Sequence, residues 1–171
     1  MLMPISLTDL LMRLAEDPSL YSPRWSPHIL AEVEPNLVLP PFNLNPEKAR
    51  YRIACMESAF PEASVTGYEP IVDNMTNHEK DRHVLAAAVV GKCDAILTNN
   101  SKDFPATCLE PFGIERLLPD DFFVHQWHLD SALVERKVWE QAEATGRTIH
   151  ALLELLGKMV PKFADVVRRS I

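Results

Sequence analysis

Thr98, Asn100 and Asp103 follow directly on the apolar run Ala95-Ile96-Leu97. A buried strand that gives way at once to groups demanding water, a metal or a phosphate marks the rim of a crevice, because in an open parallel sheet active residues gather beyond the carboxyl ends of the strands. Asp81 opens the Ala-rich helix before that strand, which brings its carboxylate toward the same rim, and Glu32 sits in an earlier helix among Ile29, Leu30 and Val33. Hard oxygen ligands drawn from several elements suit Mg2+ or Mn2+, ions that hold an attacking water and a scissile phosphate. Each residue also has a plainer reading. Asp81 fits a helix-start charge favoured by the macrodipole, Asn100 and Asp103 fit a polar turn after a strand, and Glu32 and Glu34 fit a solvated helix face.

The elements that must position these groups are legible from apolar spacing. Leu7, Leu10, Leu11 and Leu14 recur at helical spacing, with Ser6 or Thr8 as cap, until Asp17-Pro18 stops the helix. In WSPHILAEVEPNL, Ser26 is an N-cap, Pro27 takes the first helical position, and Pro35 interrupts a short second helix. Asn45-Pro46 restarts a helix whose Ala49, Ile53, Met56 and Phe60 face inward, and residues 63–68 read as a strand. Val84, Leu85, Ala88 and Val89 make the next helix, stopped at Gly91, followed by a strand at residues 95–97 and another at residues 113–118. That alternation is the pattern of an α/β protein with a parallel sheet. From Pro119 onward the chain reads as wholly helical, with Phe122, Phe123, Trp127, Leu133, Val138, Trp139, Ile149, Leu152, Leu153 and Leu156 on apolar faces.

The 171 residues are enough for one ordinary domain with a helical appendage. Hydrophobic residues at 47% and charged residues at 24% exclude a disordered or wholly coiled-coil chain. No apolar run approaches the ~20 residues that cross a bilayer, and no signal-peptide pattern opens the chain, so the expected location is cytoplasmic, with no membrane partner. Cys55, Cys93 and Cys108 are odd in number and widely spaced, which reads as buried thiols more readily than as a disulfide framework. The net charge of −7 disfavours sequence-blind attraction to a polyphosphate. A nucleic-acid function survives this objection if carboxylates converge on divalent cations, whose charge reverses the local field.

The stretch DRHVLAAAVVGKCDAILTNNSKDFP, residues 81–105, resembles the central block of PIN-domain proteins, the group that includes VapC-type toxins. LTDLLMRLAED, LYSPRWSPHILAEVEPNL, VTGYE and LLPDDFF stand in the order and at roughly the distances such proteins show, so the resemblance covers residues 2–123. It implies a PIN-like three-layer α/β/α fold with a parallel central sheet at residues 1–124, and a helical C-terminal extension at residues 125–171. It also implies a metal-dependent endoribonuclease acting on RNA. By position, Glu32, Asp81 and Asp103 match the family's catalytic and metal-binding acids, holding Mg2+ or Mn2+, while Asn100 and Thr98 match supporting positions. The departure is at the start. Members open with a strand ending in an aspartate, and here Leu2, Met3 and Pro4 match only the tail of that pattern. Losing a central strand and a shared ligand implies weakened activity, unpaired backbone in the sheet, and a filler such as a second copy of the chain.

The expected function is therefore a VapC-type toxin ribonuclease with impaired activity, partnered by RNA, a VapB-like antitoxin and further copies of itself in a homodimer or higher oligomer. A rival reading is a non-catalytic PIN-like protein that acts through protein binding, and a third places the missing strand upstream of Met1. His83 reads as a structural histidine near a helix start. His125 and His128, three apart, fit metal binding less well than packing or surface, and Lys158, Lys162, Arg168 and Arg169 fit a solvated basic helix end better than a phosphate contact.

Overall fold

The computed structural model describes residues 4–171. The elements run α1 Ile5–Ala15, α2 Pro27–Val38, α3 Pro46–Ala59, α4 Arg82–Val90, β1 Ala95–Leu97, α5 Ala106–Leu109, β2 Glu115–Leu117, α6 Pro119–Leu129, α7 Ser131–Ala144, α8 Ile149–Gly157 and α9 Pro161–Arg168. Short 3-10 turns at Pro61–Ala63, Glu69–Asn74, Glu79–Asp81 and Glu110–Phe112 link them. The chain divides into two compact units, one of residues 23–117 and one whose described part is residues 4–22 and 118–171. This cut differs from a division at residue 124, because α1 packs on α7 and α8.

In the unit of residues 23–117, α2 begins where Ser26 Oγ accepts the Ile29 N–H at 3.2 Å and Pro27 takes the first helical position. It does not stop at Pro35. Proline inside a helix removes one backbone hydrogen bond and crowds the preceding turn, yet the helix continues to Val38, because Leu37 is 2% exposed and α2 packs along α3. α3 starts at the Asn45 cap, whose side chain accepts the Glu47 N–H at 2.8 Å. Ala49 and Ile53 are buried, while Phe60 meets Trp25 edge-on at 6.2 Å.

β1 and β2 form a small parallel sheet in the register Ala95 with Glu115, Ile96 with Arg116 and Leu97 with Leu117. It lies against α4, and its core joins Leu85, Ala86 and Ala87 to Ile96, Phe104, Leu109 and Ile114. A mixed helix-and-strand unit with a parallel sheet agrees with the α/β expectation. Residues 63–68 do not form a strand. A single parallel bridge joins Trp25 to Ser64, with Trp25 N–H donating to Ala63 O at 2.9 Å and Val65 N–H donating to Trp25 O at 2.8 Å. Pro27 and its helix follow too soon for a ladder to grow from Trp25. Leu2 and Met3, part of the stretch matched to the tail of the family's first strand, lie outside the described residues.

Gly91, which caps the C-terminal end of α4, is glycine for a steric reason. Its φ is −72°, an ordinary value, but a Cβ there would stand 2.9 Å from Val65 Cγ2 and 3.0 Å from Ala87 O.

In the other unit, α1 buries Leu7, Leu10, Leu11 and Leu14 as their spacing predicts, although Pro4 and not Ser6 or Thr8 precedes its first turn. α6 to α9 bury Phe122, Phe123, Leu133, Val138, Ile149, Leu152, Leu153 and Leu156. Trp139 is 48% exposed and so is not core. Asp120 caps α9, accepting the Phe163 N–H at 3.0 Å and the Lys162 N–H at 3.2 Å. The basic end is partly engaged within the chain: Lys162 pairs with Asp121 at 2.7 Å, and Arg168 with Asp165 at 2.7 Å and with Leu153 O at 2.9 Å. Among the described residues no helix is long and apolar enough to cross a membrane.

Candidate metal centre

The polar segment after β1 is built as a chain of hydrogen bonds. Thr98 is buried and donates its N–H to Leu117 O at 3.0 Å, which carries the β1 and β2 pairing one step past the strand. Its Oγ1 accepts the Asn100 N–H at 3.0 Å. Asn100 in turn accepts the Asp103 N–H on Oδ1 at 3.3 Å and donates its amide N–H to Asp103 Oδ2. From the neighbouring strand Arg116 donates to Ser101 O at 3.2 Å and to Phe104 O at 3.1 Å. The loop carrying Asp103 is thus fixed at both ends.

Asp81 meets Asp103 from the other side. It stands at the start of α4, and its carboxylate makes no cap hydrogen bond to the helix. His78, Asp81 and Asp103 place ligand atoms within 4.8 Å of one another. A long backbone bond from His78 N–H to Asp103 O, at 3.4 Å, draws these segments together. Burial raises the pKa of Asp81, and the negative charge of Asp103 raises it further, the two carboxyls being close enough to share a proton. Two facing carboxylates that repel each other are the donor set a hard divalent cation relieves, so Asp81 and Asp103 fit Mg2+ or Mn2+. His78 Nδ1 accepts the Lys80 N–H at 3.4 Å; while that bond stands, the neutral ring carries its proton on Nε2 and acts as a donor.

Glu32 falls in a second group. With His28 and His83 it places ligand atoms within 4.8 Å, and the group that holds Asp81 and Asp103 does not include it. Glu32 Oε2 stands 3.3 Å from His83 Nε2, and Oε1 stands 3.9 Å from His28 Nε2. The two imidazoles stack, ring centres 4.0 Å apart and planes 24° apart. The fold brings Asp81 and Asp103 together, with Thr98 and Asn100 behind them, and sets Glu32 beside two histidines. His28, His78 and Arg116 were not singled out from sequence. The one available signal was His28 and Glu32 at i and i+4, a spacing that puts both on one helix face. His125 and His128 are exposed and belong to neither group.

Over 106 residues the chain is 42% identical to a Mycobacterium tuberculosis protein named "Putative ribonuclease VapC50". It is similar to a VapC-type protein. The match takes in 60% of this chain and spans 63% of that relative's length. No family model matches the chain, and no solved structure matches it at a significant level.

Proposed function

We propose that the chain is a PIN-like, VapC-type endoribonuclease, the toxin component of a toxin–antitoxin pair, whose acidic pair Asp81 and Asp103 uses Mg2+ or Mn2+ to cleave RNA in the cytoplasm. The observation that carries this reading is the meeting of those two carboxylates just past β1, in a chain 42% identical to a VapC-named ribonuclease. When bound, the divalent ion supplies positive charge for an attacking water and for the scissile phosphate. Asp81 and Asp103 hold that charge in place. Asn100 fixes the Asp103 carboxylate, and Thr98 fixes Asn100. The full three-layer sheet of the PIN fold, a VapB-like antitoxin and assembly into a homodimer or higher oligomer belong to the same proposal.

The reading includes weak cleavage, because Glu32, the third matched acid, faces His28 and His83, which compete with an ion for its carboxylate. That placement also favours a second reading, a non-catalytic PIN-like protein that works by binding a partner or another copy of itself. Incubation of the 171-residue chain with RNA and Mn2+, beside Asp81→Asn and Asp103→Asn, separates the two. Metal-dependent cleavage lost in both variants supports the nuclease. Cleavage that persists in both removes the site assignment, and no cleavage by the unaltered chain leaves the binding protein as the better account.

A further inference from the structure

We propose that His78 meets the RNA phosphate at the acidic pair, donating the N–H of its Nε2 to a phosphate oxygen; this contact rests on the nuclease reading above. One ring nitrogen of His78 and one carboxylate oxygen each of Asp81 and Asp103 lie within 4.8 Å of one another. His78 is exposed and both acids are partly buried, so the ring is the solvent-facing member of the group.

Two bonds fix how that ring is presented. His78 N–H donates to Asp103 O at 3.4 Å, which ties its backbone to the loop of the second acid. Its Nδ1 accepts the Lys80 N–H at 3.4 Å and so caps the 3-10 turn that ends at Asp81. That bond uses the Nδ1 lone pair and leaves the proton on Nε2, which has no hydrogen-bond partner among the described residues. Nearness to two carboxylates alone would suggest a third metal ligand, but a ligating nitrogen needs a free lone pair, and in this tautomer neither nitrogen has one. The geometry offers a donor instead. Phosphate oxygens accept hydrogen bonds, and a donor already aimed at the place where their charge develops stabilises the transition state without reorganising. The role does not turn on the charge of the ring, since protonation adds a proton at Nδ1 and leaves the one on Nε2.

The plainer use of His78 is the cap alone, and two substitutions separate the two uses. Asparagine keeps an acceptor for the N–H two residues on, as Asn45 does for Glu47 at 2.8 Å, but is too short to bring an N–H to the Nε2 position. Glutamine reaches that position with an amide N–H and gives up the cap. With Mn2+ and a short RNA, His78→Gln should therefore keep kcat/KM within about threefold, while His78→Asn should lower it about tenfold, less than a buried oxyanion donor is worth because the ring is exposed. Melting temperature should run the other way, with His78→Asn above His78→Gln, because only asparagine keeps the cap. Mn2+ affinity should stay within about twofold in both, since neither ring nitrogen is a ligand. In 15N spectra of the Mg2+-loaded chain, a phosphorothioate RNA strand, which resists hydrolysis, should shift the His78 Nε2 signal, assigned by its loss in His78→Gln. Cleavage by His78→Asn equal to that of the unaltered chain, or lost equally in both variants, overturns the role of His78 and leaves the nuclease reading standing. An unaltered chain that does not cleave removes the nuclease reading, and the Nε2 shift then decides the phosphate contact by itself: its presence upholds the contact and its absence overturns it.

Discussion

Asn100 and Asp103 bond each other in both directions: the amide N–H of Asn100 reaches Asp103 Oδ2 while Asn100 Oδ1 accepts the Asp103 N–H at 3.3 Å. One side chain therefore sets both the turn of the backbone and the aim of the carboxylate it carries.

Asn100→Ala should uncouple these two roles. Stability should fall by only about 1 kcal/mol, the usual net worth of a partly buried hydrogen bond. Divalent-ion affinity, read by titration with Mn2+, should drop by roughly 10–100-fold, as for other residues that orient a ligand. Thr98→Val, which removes the acceptor for the Asn100 N–H, should move affinity in the same direction.

Asp81 makes a prediction about pH. Its pKa is raised in the folded chain, by burial first and by Asp103 second, so between the ordinary aspartate value and the raised one the folded state holds more proton than the unfolded state. The contribution of Asp81 to stability is then greatest below that window and declines as pH rises through it. Above the window the ionised Asp81 remains a cost. Asp81→Asn in EDTA at pH 7 should melt at a higher temperature than the unaltered chain, and the difference should vanish under acid conditions. Mn2+ should raise the melting temperature of the unaltered chain and leave that of Asp81→Asn in place.

Gly91→Ala should destabilise by about 1–3 kcal/mol, the range for forcing a methyl into occupied space. Val65→Ala removes one of the two obstructing atoms, Val65 Cγ2, and leaves Ala87 O. In a double-mutant cycle by urea unfolding the pair should therefore cost less than the sum of its members.

Asp120→Ala removes the acceptor for the first backbone N–H groups of α9 and should cost about 1 kcal/mol. Asp121→Ala breaks only the exposed pair with Lys162 and should leave the melting temperature unchanged. Thermal unfolding followed by circular dichroism separates the two.

What was legible in the sequence was local. Ala95-Ile96-Leu97 is a strand with the bounds its apolar run suggests, and Ser26 and Asn45 cap the helices their side chains can cap. What was not legible rests on distant contacts. α2 runs past Pro35 because Leu37 is buried, a fact its neighbours in sequence do not record. Residues 63–68 are apolar enough for a strand but, among the described residues, pair with extended backbone only at Trp25. Asp81 and Asp103 were expected near one rim because topology brings a helix start and a strand end together. Glu32 faces histidines on its own helix and on α4, and the stacking of His28 on His83 has no signature in sequence spacing.

The interleaving of the two compact units bears on how the polypeptide reaches its native state. Leu7, Leu10, Leu11 and Leu14 leave the ribosome before residues 23–117, yet the helices they pack against, α7 and α8, are made after the whole of that stretch. The intervening unit holds its own core and can form during that interval. Until α7 and α8 have been made, α1 carries an apolar stripe without its mate, an exposure that a chaperone or a fellow nascent chain would be the first to meet.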